Sequence, residues 1–153
     1  MDLQNKHKYF LELAKVAAKQ TKCLKRKVGA VIVDDQFHVK AIGYNGVPKD
    51  FPHCEVCLRE KPELNDKLLI LQNCPGVHAE ANALLQLENI RHAKAIYVTT
   101  FPCIHCTKLL ANTNIKNIFY IDEYDTDSQD KETILNILNN AEIIITKINQ
   151  EEL

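Results

Sequence analysis

The sequence predicts an α/β fold in which helices cover both faces of one sheet. Short β-branched runs alternate with amphipathic segments of ten or so residues, and this alternation is typical of strands that pair in parallel, here in the second half of the chain. The composition of the 153 residues, 46% hydrophobic and 25% charged, is that of one globular domain with one core. We therefore expect a single domain over residues 1–153.

Each element follows from a local pattern. Apolar residues at helical spacing predict a first helix over 9–19. Runs at 28–33 and 39–44 predict two strands of a hairpin, whereas 47–77, with its prolines and cysteines, is expected to be an insertion with a short helix within 62–71. The remaining elements are predicted as a helix from His78 to about Asn89, a strand at 95–99, a helix at 103–112, a strand at 115–121, a helix at 128–139 and a strand at 143–145.

The charge balance bears on the kind of ligand. Nineteen Lys and Arg against twenty Asp and Glu give a net charge of −1, so no overall basic field attracts a polyanion. A small substrate is favoured over a polynucleotide. The polar start and the lack of a long apolar run also argue against a secretory signal or a membrane span, and we expect a cytoplasmic protein.

The six cysteines point to metal binding. Disulfides are rare in a reducing compartment, so they would contribute little to stability there. Two C-x-x-C pairs are instead typical of metal sites. The alternative is a secreted disulfide framework, which the missing signal and the ample apolar content disfavour.

Two short motifs carry chemistry. His78, Cys103 and Cys106 supply the three protein ligands of a catalytic zinc, with one position left for water, and the two cysteines share one face of a predicted helix start that favours thiolates. Glu80 is not needed as a ligand and is expected to shuttle protons. His105 is expected to point away from the metal. Each motif alone is weak, but H-x-E followed by P-C-x-x-C is the signature of zinc deaminases, which attack C4 of a cytosine-type ring.

These motifs also carry a resemblance. The blocks at 78–83 (HAEANA) and 102–106 (PCIHC) resemble the cytidine deaminase-like superfamily, which implies a three-layer α/β/α fold with a central mixed five-stranded sheet. The narrower resemblance, over residues 23–124, is to deoxycytidylate deaminases, and is carried by VGAVIV (28–33), GYNG (43–46), VHAE (77–80) and YVT (97–99). It implies zinc-dependent conversion of dCMP to dUMP for thymidylate synthesis, a homohexamer, and dCTP and dTTP as effectors.

Substrate contacts are predicted partly from this resemblance and partly from charge. The resemblance implies that Asn45 and Ala79 contact the nucleotide and that Tyr124 lies near its sugar or phosphate, although an Asn between glycines also suits a plain turn. The densest basic group is 25–27. Within it Arg26 is the predicted phosphate ligand, because a guanidinium grips phosphate bidentately; the alternative is a solvated connector.

A second, structural zinc is predicted from the other thiols. Cys23, Cys54, Cys57 and Cys74 match a closed tetrahedral site, and His53 is an alternative ligand, because the resemblance includes ligand sets with histidine. The alternative is that Cys23 and Cys74 are plain buried thiols.

Other functions stay open at this point. The chain could deaminate dCTP, cytidine, guanine, a riboflavin-pathway pyrimidine or a tRNA adenosine, although the last needs a basic surface. It could instead be a noncatalytic zinc-containing nucleotide sensor, which has no need of Glu80. A partner-binding role for the acidic segment 122–130 is a third class, but such runs are usually solvated surface.

Overall fold

The computed structural model describes residues 3–61, 63–124 and 127–152, and it is built on one five-stranded sheet in the order β2-β1-β3-β4-β5. The strands are β1 (Gly29–Val33), β2 (Val39–Tyr44), β3 (Ala95–Thr100), β4 (Asn117–Asp122) and β5 (Ile144–Lys147). The first strand is antiparallel to both of its neighbours, whereas β3, β4 and β5 are parallel. The predicted hairpin, the mixed five-stranded sheet and its parallel second half are confirmed.

Helices cover both faces of this sheet. They are α1 (Leu3–Ala18), α2 (Lys67–Asn73), α3 (Ala79–Leu85), α4 (Ile104–Ala111) and α5 (Ser128–Asn140). Side chains alternate across a strand, so Val31 and Val33 pack with α1 while Ala30 and Ile32 pack with α3, α4 and α5. Every residue of β1 is buried, as expected for a strand covered on both faces. Within the described ranges, no helix is both long and apolar enough to cross a membrane.

The boundaries of α1 and α3 differ from the predictions. The first helix begins at Leu3, before the predicted start at Tyr9. The third ends at Leu85, before the predicted end at about Asn89, because Asn89 instead caps a separate 3₁₀ turn by accepting the N–H of Arg91. Leu85, at the end of this helix, is 76% exposed.

Gly43 has a packing role that the sequence did not indicate. Gly43 lies within β2, paired with Ala30. A Cβ there would lie 2.3 Å from the Ala79 carbonyl oxygen and 2.4 Å from the Ala83 nitrogen. Because no side chain fits, α3 packs directly on the strand, and this contact sets where α3 begins.

The segment 47–77 lies outside the core. None of its described residues is buried, and it contains only a 3₁₀ turn (Leu58–Glu60) and α2. The short helix predicted within 62–71 is found at Lys67–Asn73, where Asp66 caps it by accepting the Leu68 N–H. Its base is closed by an antiparallel bridge between Gly46 and Val77.

Candidate active site

The three predicted zinc ligands lie together where two helices begin. His78 is the N-cap of α3 and Cys103 the N-cap of α4, and Cys106 lies in the first turn of α4. The His78 Nδ1 atom is 3.3 Å from the Cys103 Sγ and 3.4 Å from the Cys106 Sγ. The ligand atoms all lie within 4.8 Å of one another, and in the described part of the chain no other such His, Cys, Asp and Glu group of three occurs.

This spacing fits a zinc ion. Zinc–sulfur and zinc–nitrogen bonds of about 2.3 and 2.0 Å at tetrahedral angles separate the two ligand atoms by about 3.5 Å, and both His78–cysteine distances are within a few tenths of an ångström of that value. Two sulfurs and one imidazole nitrogen are also the donor types that zinc prefers. His105 is exposed and outside the group, as predicted.

The two thiols are electrostatically unequal. A hydrogen bond from the Cys106 thiol, together with His78 and the Cys106 N–H, lowers the pKa of Cys103. The pKa of Cys106 is raised by the same hydrogen bond to Cys103 and by burial. The Cys103 side chain also raises the pKa of His78. Without a metal, the protein therefore favours a thiolate at Cys103 and a protonated thiol at Cys106. A bound dication would favour the thiolate form of both cysteines.

Glu80 lies next to this group but is enclosed by the protein. It is in the first turn of α3 and only 4% exposed. Burial raises the pKa of Glu80, and its carboxyl interacts with the Cys106 thiol. A carboxyl with a raised pKa can both accept and return a proton near neutral pH.

The group opens into a cavity of about 390 Å³, which is the scale of a small-ligand site. It lies near the carboxyl ends of β3 and β4, the edge at which parallel sheets usually bind ligands. Its walls include His78, Glu80 and Cys103 together with all four predicted substrate contacts, Arg26, Asn45, Ala79 and Tyr124.

Of the basic residues 25–27, only one has a clear place in this wall. The Arg26 guanidinium carbon is 4.3 Å from the centre of the Tyr124 ring, a cation–π contact. Lys25 also borders the cavity, but its ammonium group pairs with Glu60 at 2.5 Å. Lys27 is exposed and does not line the cavity. Among residues 25–27 the Arg26 guanidinium is therefore the cation that remains for a ligand, and Lys22 and Arg59 also border the cavity.

Asn45 is tied to the backbone that carries Arg26. Its Oδ1 accepts the Val28 N–H at 2.8 Å, and its Nδ2 donates to the Arg26 carbonyl oxygen at 3.0 Å. The Thr21 hydroxyl donates to the Asn45 carbonyl oxygen at 2.5 Å. One amide hydrogen and one oxygen lone pair of the side chain are left over from these bonds.

The residues predicted for a second zinc line the same cavity without converging. Cys23, His53, Cys54, Cys57 and Cys74 all border it, but no three of them bring ligand atoms within 4.8 Å of one another in the described structure. Cys74 is exposed and Cys23 half-buried, so the alternative that these two are plain buried thiols is wrong. All six cysteines are free, and none forms a disulfide.

Sequence reasoning missed two residues that shape the site. Phe101 is buried and lines the cavity directly after β3. Glu123, directly after β4 and next to Tyr124, contacts residues on β4, α5 and β5. Their position at the carboxyl ends of parallel strands is the signal that could have found them.

A mixed five-stranded sheet that presents a His-Cys-Cys group and a buried glutamate at two helix starts defines a deaminase-type zinc site. Residues 4–122 match the family described as "Cytidine and deoxycytidylate deaminase zinc-binding region", and the chain belongs to this family. A deoxycytidylate deaminase of Mycobacterium phage D29 is 39% identical over 120 residues, covering 75% of this chain and 93% of the phage protein. The Saccharomyces cerevisiae deoxycytidylate deaminase is 34% identical over 149 residues, which cover 94% of this chain but 45% of the yeast protein.

The fold as a whole is also matched. The crystal structure of a dCMP deaminase from the cyanophage S-TIM5, in complex with dCMP and dUMP, superposes with a TM-score of 0.74 and 25% sequence identity. The match covers 97% of this chain and 99% of the cyanophage chain. The phage relatives therefore correspond to this chain over nearly their whole length, whereas the yeast protein is more than twice as long as the matched part.

Proposed function

We propose that this chain catalyses the zinc-dependent hydrolytic deamination of dCMP, giving dUMP and ammonia and so supplying dUMP for thymidylate synthesis. The observation that carries the proposal is the buried Glu80 carboxyl beside the His78, Cys103 and Cys106 group, at a cavity large enough for a mononucleotide. The phage and yeast relatives named deoxycytidylate deaminase support dCMP as the substrate.

The residues divide the chemistry between them. His78, Cys103 and Cys106 would hold zinc, which would supply a Lewis acid that lowers the pKa of a water molecule. Glu80 accepts a proton from that water as its oxygen attacks C4 of the cytosine ring, and donates the proton to the ring nitrogen N3. The same carboxyl then takes the proton of the new C4 hydroxyl group and donates it to the amino group, so that the C4–N bond breaks, ammonia leaves and the C4 carbonyl of uracil forms.

The cavity wall provides for the rest of the nucleotide. Arg26 binds the 5′-phosphate, because its guanidinium can donate two parallel hydrogen bonds to phosphate oxygens. Tyr124 holds that guanidinium from one side and borders the sugar. The remaining amide hydrogen of Asn45 and the backbone of Ala79 contact the nucleoside.

The decisive test is turnover by purified, zinc-loaded protein. Ammonia release is measured with dCMP, dCTP, cytidine and guanine, and the dCMP reaction should give the highest kcat/KM. If another base or nucleotide gave the highest kcat/KM, that compound would be the substrate, and the proposed mechanism would be unchanged. Glu80→Gln should retain zinc and lose roughly 10²- to 10⁴-fold in turnover, the usual contribution of a general acid–base; undiminished turnover would refute the role of Glu80.

The noncatalytic sensor is tested by the same assay. A sensor binds deoxynucleotides without releasing ammonia, and Glu80→Gln would leave its behaviour unchanged. Nucleotide binding with no turnover by the zinc-loaded wild type would favour it.

A second, structural zinc belongs to the same proposal. Segment 47–77 has no buried residue among those described, so it lacks the apolar packing that usually stabilises a segment of this length. Thiolates that bind a metal can replace such packing. The proposed ligands are Cys23, Cys54, Cys57 and Cys74, with His53 as an alternative to one of the cysteines.

Regulation, assembly and location are proposed on the resemblance. dCTP and dTTP act as effectors, the chain assembles as a homohexamer, and it works in the cytoplasm, where six free cysteines stay reduced. The dCMP assay repeated with each triphosphate tests regulation, and light scattering tests assembly.

A further inference from the structure

The Glu123 side chain joins three elements at the edge of the cavity. The Tyr120 hydroxyl, on β4, donates to Glu123 Oε1 at 2.9 Å. The ammonium of Lys147, on β5, lies 3.4 Å from the same oxygen, and the ammonium of Lys131, on α5, lies 3.5 Å from Oε2. We call Glu123 with Tyr120, Lys131 and Lys147 the Glu123 clamp.

The clamp contains an ionised carboxylate and a neutral hydroxyl. Partial burial raises the pKa of Glu123, but the Tyr120 hydroxyl and the two lysines outweigh it and hold that pKa below its usual value. Burial, with Glu123, raises the pKa of Tyr120 to about 12. The lysine and glutamate side chains are 43–47% exposed, and such ion pairs add little to stability. Orientation of the chain is what the clamp contributes.

The clamp adjoins two parts of the cavity wall. The residue after Glu123 is Tyr124, whose ring holds the Arg26 guanidinium. On the other side, the Tyr120 ring packs edge-on against Phe101 with ring centres 5.2 Å apart, and Phe101 lines the cavity. Glu123 does not line the cavity itself, so a change at Glu123 reaches Arg26 through the neighbouring Tyr124 and not by direct contact with a ligand.

We propose that Glu123 is a positioning residue for phosphate recognition, which it serves by fixing the start of the β4–α5 connection so that Tyr124 holds Arg26 over the cavity. This inference rests on the proposed function, in which Arg26 binds the 5′-phosphate of dCMP. It predicts that Glu123 affects only substrates that carry that phosphate.

The test compares Glu123→Gln with wild type on dCMP and on deoxycytidine, which lacks the phosphate. Glutamine keeps an acceptor for Tyr120 but loses both ion pairs. The KM for dCMP should rise about fivefold, the scale of two surface ion pairs, while kcat for dCMP and kcat/KM for deoxycytidine stay within about twofold. Lys147→Gln, which removes one pair, should show a smaller shift in the same direction.

A double-mutant cycle with Arg26→Ala isolates the route of the effect. If Glu123 acts through Arg26, Glu123→Gln should leave the KM of the Arg26→Ala protein unchanged. A fivefold rise that persists without Arg26, equal losses on both substrates, or no effect of Glu123→Gln would each overturn the inference. Glu132→Gln is the matched control, since this exposed α5 carboxylate has no hydrogen bond or ion pair among the described residues. Failure of the proposed function looks different, because wild type itself would then not deaminate dCMP.

Discussion

The Asn45 side chain fixes the backbone of Arg26: its Nδ2 donates to the Arg26 carbonyl oxygen at 3.0 Å while its Oδ1 accepts the Val28 N–H at 2.8 Å. The two bonds span the turn that leads into β1. A residue that the resemblance assigned to the substrate therefore also shapes the segment that carries the proposed phosphate ligand.

Asn45→Ala is expected to weaken both stability and substrate binding. Loss of two hydrogen bonds leaves a backbone N–H and a carbonyl without their partner, at a cost of about 1–3 kcal/mol in the free energy of unfolding. Because Arg26 is then less fixed, KM for dCMP should rise. Urea denaturation and steady-state kinetics measure the two effects. Asn82→Ala, which loses a single exposed bond to the Tyr44 carbonyl oxygen, is the control, and equal effects of the two variants would contradict the prediction.

Gly43→Ala is expected to displace α3 and with it the start of the helix that carries His78. The added Cβ would overlap the backbone of Ala79 and Ala83, and overpacking of this kind costs about 1–3 kcal/mol or more. Thermal denaturation should show a lower Tm, and zinc content and turnover should fall with it.

Gly46→Ala is the matched control for this change. A Cβ at Gly46 meets nothing within 4 Å, and none of the described glycines has a positive φ. Its Tm and zinc content should equal those of wild type. A Gly43→Ala protein that equals Gly46→Ala in Tm and zinc content would show that the helix tolerates a wider separation from β2.

His7 is expected to make stability fall on acidification. Its Nδ1 lies 3.0 Å from the Tyr97 hydroxyl oxygen, its ring packs on Phe119, and burial lowers the pKa of His7 below its ordinary value. The unfolded chain, with a His pKa of about 6.5, therefore binds the proton more readily than the folded chain. The stabilisation is complete above about pH 6.5 and is lost as the pH falls through the lower pKa of the folded state.

The measurement is Tm as a function of pH between 5 and 8. His7→Gln should flatten the acid side of the curve relative to wild type, whereas exposed His92→Gln should leave its slope unchanged. Parallel curves for wild type and His7→Gln would exclude His7 as the source of the acid sensitivity.

Two zinc ions per chain are expected by elemental analysis of the native protein. Cys57→Ser should reduce the value to one and make the segment 47–77 more sensitive to proteolysis, because that segment has no buried residue of its own to stabilise it. Cys106→Ser should also lose one zinc, but here turnover disappears as well. A measured content of one zinc ion per chain in undenatured wild-type protein would refute the proposed structural site.

The elements were predictable where local pattern is strong. All five strands and all five helices occur near their predicted positions, since alternation and helical spacing are properties of neighbouring residues. The ends were less predictable. The α3 helix ends at Leu85 because Asn89 caps a separate turn, a competition between two local structures that periodicity does not register.

The sequence by itself identified the residues of the proposed chemistry, His78, Glu80, Cys103 and Cys106, because zinc ligation and proton transfer need particular side chains at short, fixed spacings beside helix starts. Only the tertiary structure decided that Arg26, and not its lysine neighbours, lies beside Tyr124 at the cavity. The tertiary structure also decided that α3 packs directly on Gly43. It decided, too, that Glu123 contacts residues of β4, β5 and α5. Each of these contacts joins segments distant in sequence, and their partners are fixed by sheet order and close packing, which no local pattern encodes.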